Sequence, residues 1–300
     1  MSLFPFVVSV MIPKRCPKPL DYLWLDDTEP KAGLRVLVPF RNTSLVGLVL
    51  EHKQAQNTPK GLKTIIKTLD KKPSLSPTLL ALMRWMIDYY HAASHELAAL
   101  MLPKKLHLAV DFDSIKPVYV TCSNTPPRSK ISTVQQRIYD LVKQQGTTDA
   151  LYLNLMGGSA RTLKAMLEHG LLVESEPKTI VKTKRLHPIN LTEEQNKVYQ
   201  NILPLNAFKV HLIDGVTGSG KTMLYCALIE QAFAAKKQVL LLVPEINLTP
   251  QTLRFFNHYF QAKQIMLHSG LNDEQRAQSW ILAALGSIDL IIGTRSAVFT

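Results

Sequence analysis

The stretch that most restricts what this chain can fold into is Gly215-Val-Thr-Gly-Ser-Gly-Lys-Thr222. It fits the pattern G-x-x-x-x-G-K-S/T, in which backbone N–H groups surround a polyphosphate. The apolar run Phe208–Ile213 precedes it and predicts a buried strand, and apolar residues at helical spacing follow it. A chance glycine-rich turn lacks such flanks. Strand, glycine loop and helix therefore predict a nucleoside triphosphate site.

Each residue type in this stretch has a role in holding a triphosphate. Its glycines let the backbone turn inward, and the N-terminus of the following helix adds positive potential. We predict that Lys221 reaches the β- and γ-phosphates and that the Thr222 hydroxyl holds Mg²⁺, so these two are the candidate catalytic residues. The predicted cofactor-binding residues of the loop are Gly215, Val216, Thr217, Gly218, Ser219, Gly220, Lys221 and Thr222.

The charge of the chain is unevenly distributed. Its 35 Lys and Arg residues exceed its 23 Asp and Glu residues, which gives a net charge of +12. Only 9 of these basic and 8 of these acidic residues lie in 191–300, so residues 1–190 carry a balance of +11. A basic excess confined to one part indicates a polyanionic partner, nucleic acid before a membrane surface. Solubilising surface lysine is the open alternative.

The cysteines and the apolar stretches indicate in which cellular compartment the protein is located. Cys16, Cys122 and Cys226 are widely spaced and odd in number, so they predict neither a disulfide framework nor a zinc site. The apolar run 3–12 has no basic residues before it and contains a proline, unlike a signal peptide. The region 79–102 is interrupted by charges and is too polar to span a bilayer. We expect a cytoplasmic protein that does not enter the membrane.

Residues 1–105 are predicted to form a β-rich first domain. Short β-rich runs separated by turn-prone stretches are typical of a small OB-like barrel, a fold that often binds single strands. These runs are 4–11, 34–40, 45–51 and 62–69. Two helices follow, at Pro77–Tyr90 and Ser94–Leu102, and the first has an apolar stripe that we assign to the core. The stripe consists of Leu79, Leu82, Met83, Met86 and Tyr90.

Residues 106–185 are predicted to hold a linker and a second domain. Pro103–Ser132 is rich in Pro, Ser and Thr and is interpreted as the linker. Three helices and a strand follow, at Val134–Gln144, Thr148–Leu155, Ser159–His169 and Leu171–Val173. This order is typical of a winged helix, in which Arg161 and Lys164 would contact DNA from the third helix. A three-helix packing module fits the same pattern.

Residues 186–300 are predicted to form an α/β domain, so the fold class of the whole chain is multi-domain α+β and α/β. Apolar strands alternate with helices, which implies a parallel sheet with ligands at the carboxyl ends of its strands. The predicted strands are Phe208–Ile213, Gln238–Val243, Gln264–Leu267 and Ile288–Ile292. The predicted helices are Met223–Ala235, Pro250–Phe260 and Asp273–Leu285.

Several short motifs in this last part resemble those of one family. Besides the glycine loop they are Leu191-Thr-Glu-Glu-Gln195, Val243-Pro-Glu-Ile-Asn-Leu-Thr-Pro-Gln251, Leu267-His-Ser-Gly-Leu271 and Gly293-Thr-Arg-Ser-Ala-Val-Phe299. Together they resemble the first half of a superfamily 2 helicase of the primosomal protein N′ (PriA) family, the bacterial replication-restart helicases. The resemblance covers essentially the whole chain, but the winged-helix region only in architecture. It implies that 186–300 is a first RecA-like helicase lobe with a P-loop.

The resemblance implies roles for residues around the sheet. Gln195 would read an adenine edge, so ATP with Mg²⁺ is the expected cofactor. The loops after the strands would hold phosphates of the DNA strand along which the helicase moves. The DNA-binding residues implied there are Thr249, Ser269, Thr294 and Arg295. Helix capping is the competing role for each, above all for Thr249 before Pro250.

The resemblance also implies a pocket for the 3′ end of a nascent DNA strand. In the motif Pro19-Leu-Asp-Tyr22, Asp21 would accept hydrogen bonds from the terminal nucleotide, and Lys63 would meet its phosphate. Two residues depart from the family pattern. Leu20 replaces an aromatic residue that would stack, and Arg41 replaces a glycine, where it would either crowd the pocket or add a phosphate contact.

Partners and activity follow from the same resemblance. The intact family member would hydrolyse ATP to move 3′→5′ at forked DNA and would start primosome assembly with single-strand-binding protein and other primosome proteins. Its acidic Asp-Glu-Glu-His box, zinc module, second lobe and arginine finger come after residue 300, so we expect this chain to bind ATP without hydrolysing it. A non-enzymatic fork-binding module is the main alternative. A small-molecule kinase would leave the basic first part without a purpose.

Overall fold

The structure is a computed structural model, and it describes residues 6–13, 16, 18–26, 28–54, 61–109, 118–123, 131–175, 184–204, 207–244 and 250–300. The chain divides into two compact units. The first consists of Met1–Lys116, Asn272–Trp280 and Phe299–Thr300, and the second of Pro117–Leu271 and Ile281–Val298. None of the described helices combines the length and the apolar character that crossing a membrane requires.

The first unit contains five strands and two α-helices among its described residues. They are β1 (Phe6–Met11), β2 (Leu20–Trp24), β3 (Arg35–Phe40), β4 (Thr43–Gln54), β5 (Lys67–Thr68), α1 (Pro77–Tyr90) and α2 (Ser94–Met101), followed by a 3-10 turn at Lys104–His107. The β-rich prediction for this part is confirmed. Strand β2 was missed, because its polar Asp21 interrupts the apolar pattern.

The strands of the first unit form one antiparallel sheet in the order β2-β1-β4-β3-β5. The segment after Gly61 joins its two edges. Leu23 N in β2 donates to Lys63 O at 2.9 Å, and Ile66 N donates to Leu37 O in β3 at 2.8 Å. A sheet whose edges are joined in this way is a small barrel. Its interior is filled by β-branched and aromatic side chains, among them Val8, Val10, Trp24, Val36 and Val38.

Helix α1 has the bounds that the sequence predicts. Ser76 caps it, since its Oγ accepts Leu79 N at 3.3 Å, and the helix ends at His91, whose φ is 50°. The predicted core stripe is wrong for Tyr90, which is 61% exposed. Tyr90 instead packs edge-on against Trp85 and Tyr89, so these aromatic rings cover each other at the surface.

One buried ion pair ties the barrel to the segment that follows it. The Arg35 guanidinium contacts the Asp70 carboxylate, and both side chains are at most 1% exposed. Asp70 Oδ2 also accepts Arg35 N at 3.1 Å, and Arg35 Nη1 donates to Leu106 O at 3.0 Å. Each of these contacts gives a buried charged or polar group a partner, and burying such a group without a partner would cost free energy.

The second unit alternates helices with short strands. Its described strands are β6 (Tyr119–Cys122), β7 (Thr148–Asp149), β8 (Leu172–Glu174), β9 (Lys184–Arg185), β10 (Val239–Leu242), β11 (Phe260–Gln261), β12 (Gln264–Leu267) and β13 (Leu290–Gly293). Its helices are α3 (Thr133–Gln145), α4 (Ala150–Leu155), α5 (Ala160–Glu168), α6 (Glu193–Ile202), α7 (Lys221–Ala234) and α8 (Pro250–Tyr259), while α9 (Asp273–Ala284) belongs to both units. A 3-10 turn at Arg295–Phe299 follows β13.

Helices α3, α4 and α5 share one core with a small antiparallel sheet of order β7-β6-β8. The predicted helices and the strand after them are confirmed to within two residues. Strand β6 lies in the stretch predicted as linker, so the linker prediction is wrong for this segment. Its alternating Tyr-Val-Thr-Cys favours a strand, and Val120 is fully buried against Ile138.

The second unit also contains a parallel sheet of order β10-β13-β12 and a small antiparallel pair of β9 and β11. These three predicted strands and the three predicted helices around them are confirmed. Helices α7 and α8 pack on the sheet through Cys226, Ile229 and Phe256. Burial raises the pKa of the Cys226 thiol to about 12.

The strand predicted at Phe208–Ile213 is wrong. Residues 207–216 form neither helix nor strand, and Phe208 and Leu212 are 95% and 93% exposed. An apolar run becomes a buried strand only where a neighbouring strand completes its backbone hydrogen bonds. In the described part of the chain, the parallel sheet ends at β10 and β12, and neither strand pairs with this run.

Candidate functional site

Helix α6 holds the glycine loop through Gln195. Gln195 Oε1 accepts Thr192 N at 3.0 Å and Thr192 Oγ1 accepts Gln195 N at 3.2 Å, which together form a capping box. The Nε2 of the same side chain donates to Ser219 O at 2.9 Å. A Cβ on Gly220 would lie 2.5 Å from Nε2, and the φ of Gly220 is 77°, so glycine is required there. Gln195 and the loop are therefore brought together.

Among the residues that the structure describes, the contacts of Gln195 leave half of its hydrogen-bonding capacity unused. Its Oε1 can accept two hydrogen bonds and its Nε2 can donate two, and the contacts to Thr192 and Ser219 use one of each. One acceptor and one donor remain on the same planar amide. This pair matches the N6 donor and the N7 acceptor on the edge of adenine. Guanine presents two acceptors on that edge, which one amide cannot both satisfy.

Lys221 is the first residue of α7, and its ammonium is directed into the loop. Nζ donates to Val216 O at 2.9 Å and also to Gly215 O. Phosphate oxygens are acceptors as well, so the predicted contact of Lys221 with a triphosphate would require it to exchange these carbonyl oxygens for phosphate oxygens. Thr222 follows it in the first turn of α7 and is exposed.

The predicted DNA-binding residues after the strands lie at one edge of the parallel sheet. Leu267 at the end of β12 pairs in register with Gly293 at the end of β13. The segments with Ser269, Thr294 and Arg295 therefore leave the sheet side by side. Ser269 and Arg295 are exposed, whereas Thr294 is half-buried and its carbonyl accepts Ala297 N at 2.9 Å. Thr249 lies outside the described residues.

The glycine loop belongs to the same edge of the sheet. A short connection joins the end of α7 to the start of β10, so α7 runs back along the sheet, antiparallel to its strands. The N-terminus of α7, with Lys221 and Thr222, is consequently at the carboxyl ends of β10, β12 and β13. Ligands of open α/β sheets bind at this edge.

Arg161 and Lys164 share the exposed face of α5. Leu163 and Met166 on the opposite face are buried, and the Ser159 Oγ caps the helix by accepting Thr162 N at 3.0 Å. The two basic side chains are one turn apart, as a groove-facing pair requires. Lys164 Nζ also lies 3.8 Å from Glu168 Oε1, which offsets part of its charge.

Asp21 and Lys63 lie on adjoining segments of the barrel. Asp21 is exposed near the start of β2, and the carbonyl of Lys63 accepts Leu23 N in the same strand. Tyr22 joins this part of the barrel to the end of β3, since its hydroxyl donates to Pro39 O at 3.1 Å. Burial raises the pKa of Tyr22, with a further contribution from Cys16, so the hydroxyl stays protonated and able to donate. The sequence pattern did not predict this bond between distant residues.

The sequence pattern also missed an exposed aromatic cluster on α1. Trp85 and Tyr89 stack with ring centroids 5.0 Å apart, and Tyr90 packs on both. All three are about half exposed or more. Aromatic residues of this kind are enriched at binding surfaces. From the sequence only Tyr90 of the three was assigned, to the core stripe, and only the Trp-x-x-x-Tyr-Tyr composition of this face could have indicated a surface.

Two family models match separate parts of the chain. Residues 8–103 match the PriA 3′ DNA-binding domain (3′BD), which coincides with the barrel and the helices after it. Residues 188–299 match the family described as type III restriction enzyme, res subunit, which coincides with α6, the glycine loop and the parallel sheet.

Relatives extend the similarity over nearly the whole chain. The replication restart protein PriA of Haemophilus influenzae is 30% identical over 98% of this chain and 42% of its own length. That of Bacillus subtilis is 27% identical over 99% of this chain and 47% of its own length. That of Synechocystis is 35% identical over 61% of this chain and 23% of its own length. The chain thus spans less than half the length of each of these relatives.

Proposed function

Because the chain belongs to the family of the replication restart protein PriA and corresponds to its N-terminal part, we propose that it binds forked DNA with a free 3′ end and ATP with Mg²⁺. We place it in a 3′→5′ DNA helicase of replication restart, which hydrolyses ATP and starts primosome assembly. Single-strand-binding protein and other primosome proteins are the partners in this proposal.

The DNA-binding part of this proposal rests on the residues at one end of the barrel. A segment that matches a 3′ DNA-binding domain contains a carboxylate, Asp21, and a cation, Lys63, on adjoining segments of one barrel. A terminal 3′ hydroxyl is a donor, for which a carboxylate is the best acceptor, and the adjacent phosphate is an anion, for which lysine supplies the charge. This pairing is specific for an end, because an internal nucleotide has no 3′ hydroxyl.

Three domains carry the proposed activity. The first, 1–105, binds the 3′ end. The second, within 106–185, is a winged-helix-like module that contacts duplex DNA through Arg161 and Lys164 on α5, and the basic face of that helix supports this role. The third, 186–300, is the first RecA-like lobe, which the parallel sheet and the glycine loop support.

In the third domain Ser269, Thr294 and Arg295 contact the phosphates of the DNA strand along which the helicase moves. Their position beside the glycine loop, at the carboxyl edge of the sheet, supports this role. A nucleotide and a DNA strand bound at one edge can be coupled by small movements of the same loops. Thr249 belongs to this set by its motif.

The described residues around the loop fit ATP. Gly218 and Gly220 have φ values of 83° and 77°, which let the loop curve around phosphates. Lys221 supplies the cation, and the exposed hydroxyl of Thr222 is the residue that would hold Mg²⁺. Magnesium would neutralise charge on the β- and γ-phosphates. The unused donor and acceptor of Gln195 make adenine the preferred base.

For these 300 residues taken by themselves, a second candidate function is ATP binding without turnover. The exposed, unpaired run 207–216 leads directly into the loop, and Lys221 is engaged by loop carbonyls. Hydrolysis also needs metal-holding carboxylates and charge-stabilising arginines around the γ-phosphate. The described residues contain no cluster of three His, Cys, Asp or Glu side chains placed to hold a metal.

One preparation tests both functions. Fluorescence anisotropy is measured on forked DNA whose leading strand ends in a 3′ hydroxyl or in a 3′ phosphate, for the native chain and for Asp21→Asn. We expect the native chain to prefer the free hydroxyl and the variant to lose that preference while keeping its affinity for blocked ends. Phosphate release from ATP is followed on the same protein with and without DNA. A variant that discriminates as well as the native chain would refute the pocket, and DNA-stimulated release lost in Lys221→Ala would refute binding without turnover.

A further inference from the structure

In the turn between β3 and β4, Arg41 has a backbone conformation that arginine rarely adopts. Phe40 and Thr43 pair in register, so Arg41 and Asn42 form a two-residue hairpin loop. The φ of Arg41 is 52°, while that of Asn42 is not positive. A positive φ at the first of two loop residues is the pattern of a II′ turn, whose first position is normally glycine. Arginine is strained there, and strain of this kind clusters at functional sites.

The side chain of Arg41 is exposed and held above a ring. Its Cζ lies 5.6 Å from the centroid of Phe40, within the range of a cation–π contact. This contact is made through the face of the ring and leaves N–H donors of the guanidinium available. In the part of the chain that the structure describes, no carboxylate forms an ion pair with Arg41. A guanidinium without a counter-ion is suited to bind an anion from solution.

The turn lies at the same end of the barrel as Asp21. Strand β2 starts beside the end of β1, where Val10 pairs with Leu20. Because β1 runs antiparallel to β4 and pairs with its second half, this end of β1 is directed toward the turn that precedes β4. The Tyr22–Pro39 hydrogen bond joins the residue after Asp21 to the residue before Phe40. Asp21, Lys63 and Arg41 therefore surround one barrel end from three different segments.

We propose that Arg41 is a phosphate-binding residue of the 3′-end site, and that its guanidinium contacts the phosphodiester that precedes the terminal nucleotide. This inference rests on the proposed function, which supplies the 3′ end. Asp21 recognises the terminal hydroxyl, and Arg41 together with Lys63 neutralises the adjoining phosphates. Arginine suits this position because its planar fork binds a phosphate through two hydrogen bonds at once.

A chemical double-mutant cycle tests the contact. The affinity of the native chain and of Arg41→Gly is measured for a 3′-hydroxyl strand whose last linkage is a phosphodiester or an uncharged methylphosphonate. The native chain should lose about fivefold to twentyfold in affinity with the methylphosphonate, and Arg41→Gly less than about twofold. Arg41→Gly should also bind the phosphodiester about fivefold to twentyfold more weakly than the native chain does. Glycine fits the positive φ, so this variant should unfold at the native temperature or above it.

Lys53→Ala is the matched control. Lys53 is an exposed residue near the end of β4 that is farther from the turn, where it pairs with Val7, and its removal takes away the same charge. This variant should keep the native response to the methylphosphonate. Two results would overturn the role of Arg41 and leave the 3′-end function standing. One is that Arg41→Gly and the methylphosphonate weaken binding independently of each other, and the other is that Arg41→Gly binds DNA more tightly than the native chain. A native chain that does not distinguish 3′-hydroxyl from 3′-phosphate ends would overturn the proposed function and this inference together.

Discussion

Replacing Gln195 by Glu separates the capping of α6 from the binding of the nucleotide. The capping box needs only an acceptor at this position, and glutamate serves there as well as glutamine. The contact from Thr192 N, 3.0 Å in the structure, is therefore kept. Both N–H donors of the amide are lost, namely the one bonded to Ser219 O and the one that we assign to adenine N7.

The size of the effect follows from the two lost donors. The bond to Ser219 O is 2.9 Å long and neutral, and such a bond contributes about 0.5 to 1.5 kcal/mol. The donor assigned to N7 contributes a similar amount. The bond to Ser219 O is made with or without ATP, so its loss affects mainly the position of the loop. Losing the donor to N7 should weaken ATP binding by about 0.5 to 1.5 kcal/mol, which is roughly a 2-fold to 12-fold rise in Kd. The carboxylate then faces the carbonyl of Ser219, which places the effect toward the upper part of this range.

The assay is a titration of ribose-labelled ATP and GTP analogues, followed by fluorescence anisotropy, on native chain, Gln195→Glu and Gln135→Glu. Gln135 forms the same capping box with Ser132 at the start of α3, so its variant repeats the chemical change away from the loop. We expect ATP binding to weaken only in Gln195→Glu, and helix content by circular dichroism to stay native in both. An ATP Kd within twofold of native in Gln195→Glu, or equal weakening in Gln135→Glu, would refute the role of Gln195. Native binding of GTP as tight as that of ATP would refute adenine selection.

Three further outcomes are expected. Arg35→Ala leaves Asp70 buried without its partner, so urea unfolding followed through the buried Trp24 should show a loss of about 3 to 5 kcal/mol, and an unchanged midpoint would contradict this. Lys221→Ala should abolish binding of a labelled ATP analogue, whereas Lys209→Ala should not; binding that survives Lys221→Ala would remove the loop from the site. Affinity for forked DNA should fall with salt at a log–log slope on the order of −3 to −6, from about four to seven neutralised phosphates, and should reside in residues 1–190; a salt-independent affinity would contradict it.

The sequence was most informative where a structural signal is local. Ser76 and Pro77 mark the start of α1, and both its bounds were predicted because a cap and its helix are adjacent in the chain. The three parallel strands were predicted for a similar reason, since each is a short apolar run between helices. The position of Ser269, Thr294 and Arg295 at one sheet edge follows from that order alone.

Features that depend on a distant partner were not predictable in this way. The run Phe208–Ile213 has the composition of a buried strand, but composition does not supply the neighbour that a strand needs, and the structure leaves the run exposed. Strand β6 shows the opposite case, because pairing with β7 and β8 makes a strand within a Pro-rich stretch. The Tyr22–Pro39 bond and the buried Arg35–Asp70 pair likewise join residues far apart in sequence.

The nucleotide site combines a fixed part with an adjustable one. Gln195 is held by hydrogen bonds to Thr192 and Ser219, and α7 is anchored on the sheet by the buried Cys226. Between them, the carbonyls of Gly215 and Val216 hold the Lys221 ammonium and must release it when ATP binds.

Removing Lys221 therefore has two opposing effects on ATP affinity. It abolishes the cost of breaking the two carbonyl contacts, and it abolishes the contact with the phosphates. The second effect is larger, because the carbonyls are neutral acceptors while the triphosphate oxygens are charged, and hydrogen bonds between charged groups are about twice as strong. The base-reading residue is already in place before this exchange occurs. A bound ATP would therefore meet Gln195 already in place, whereas Lys221 would have to leave the carbonyls of Gly215 and Val216 to reach the phosphates.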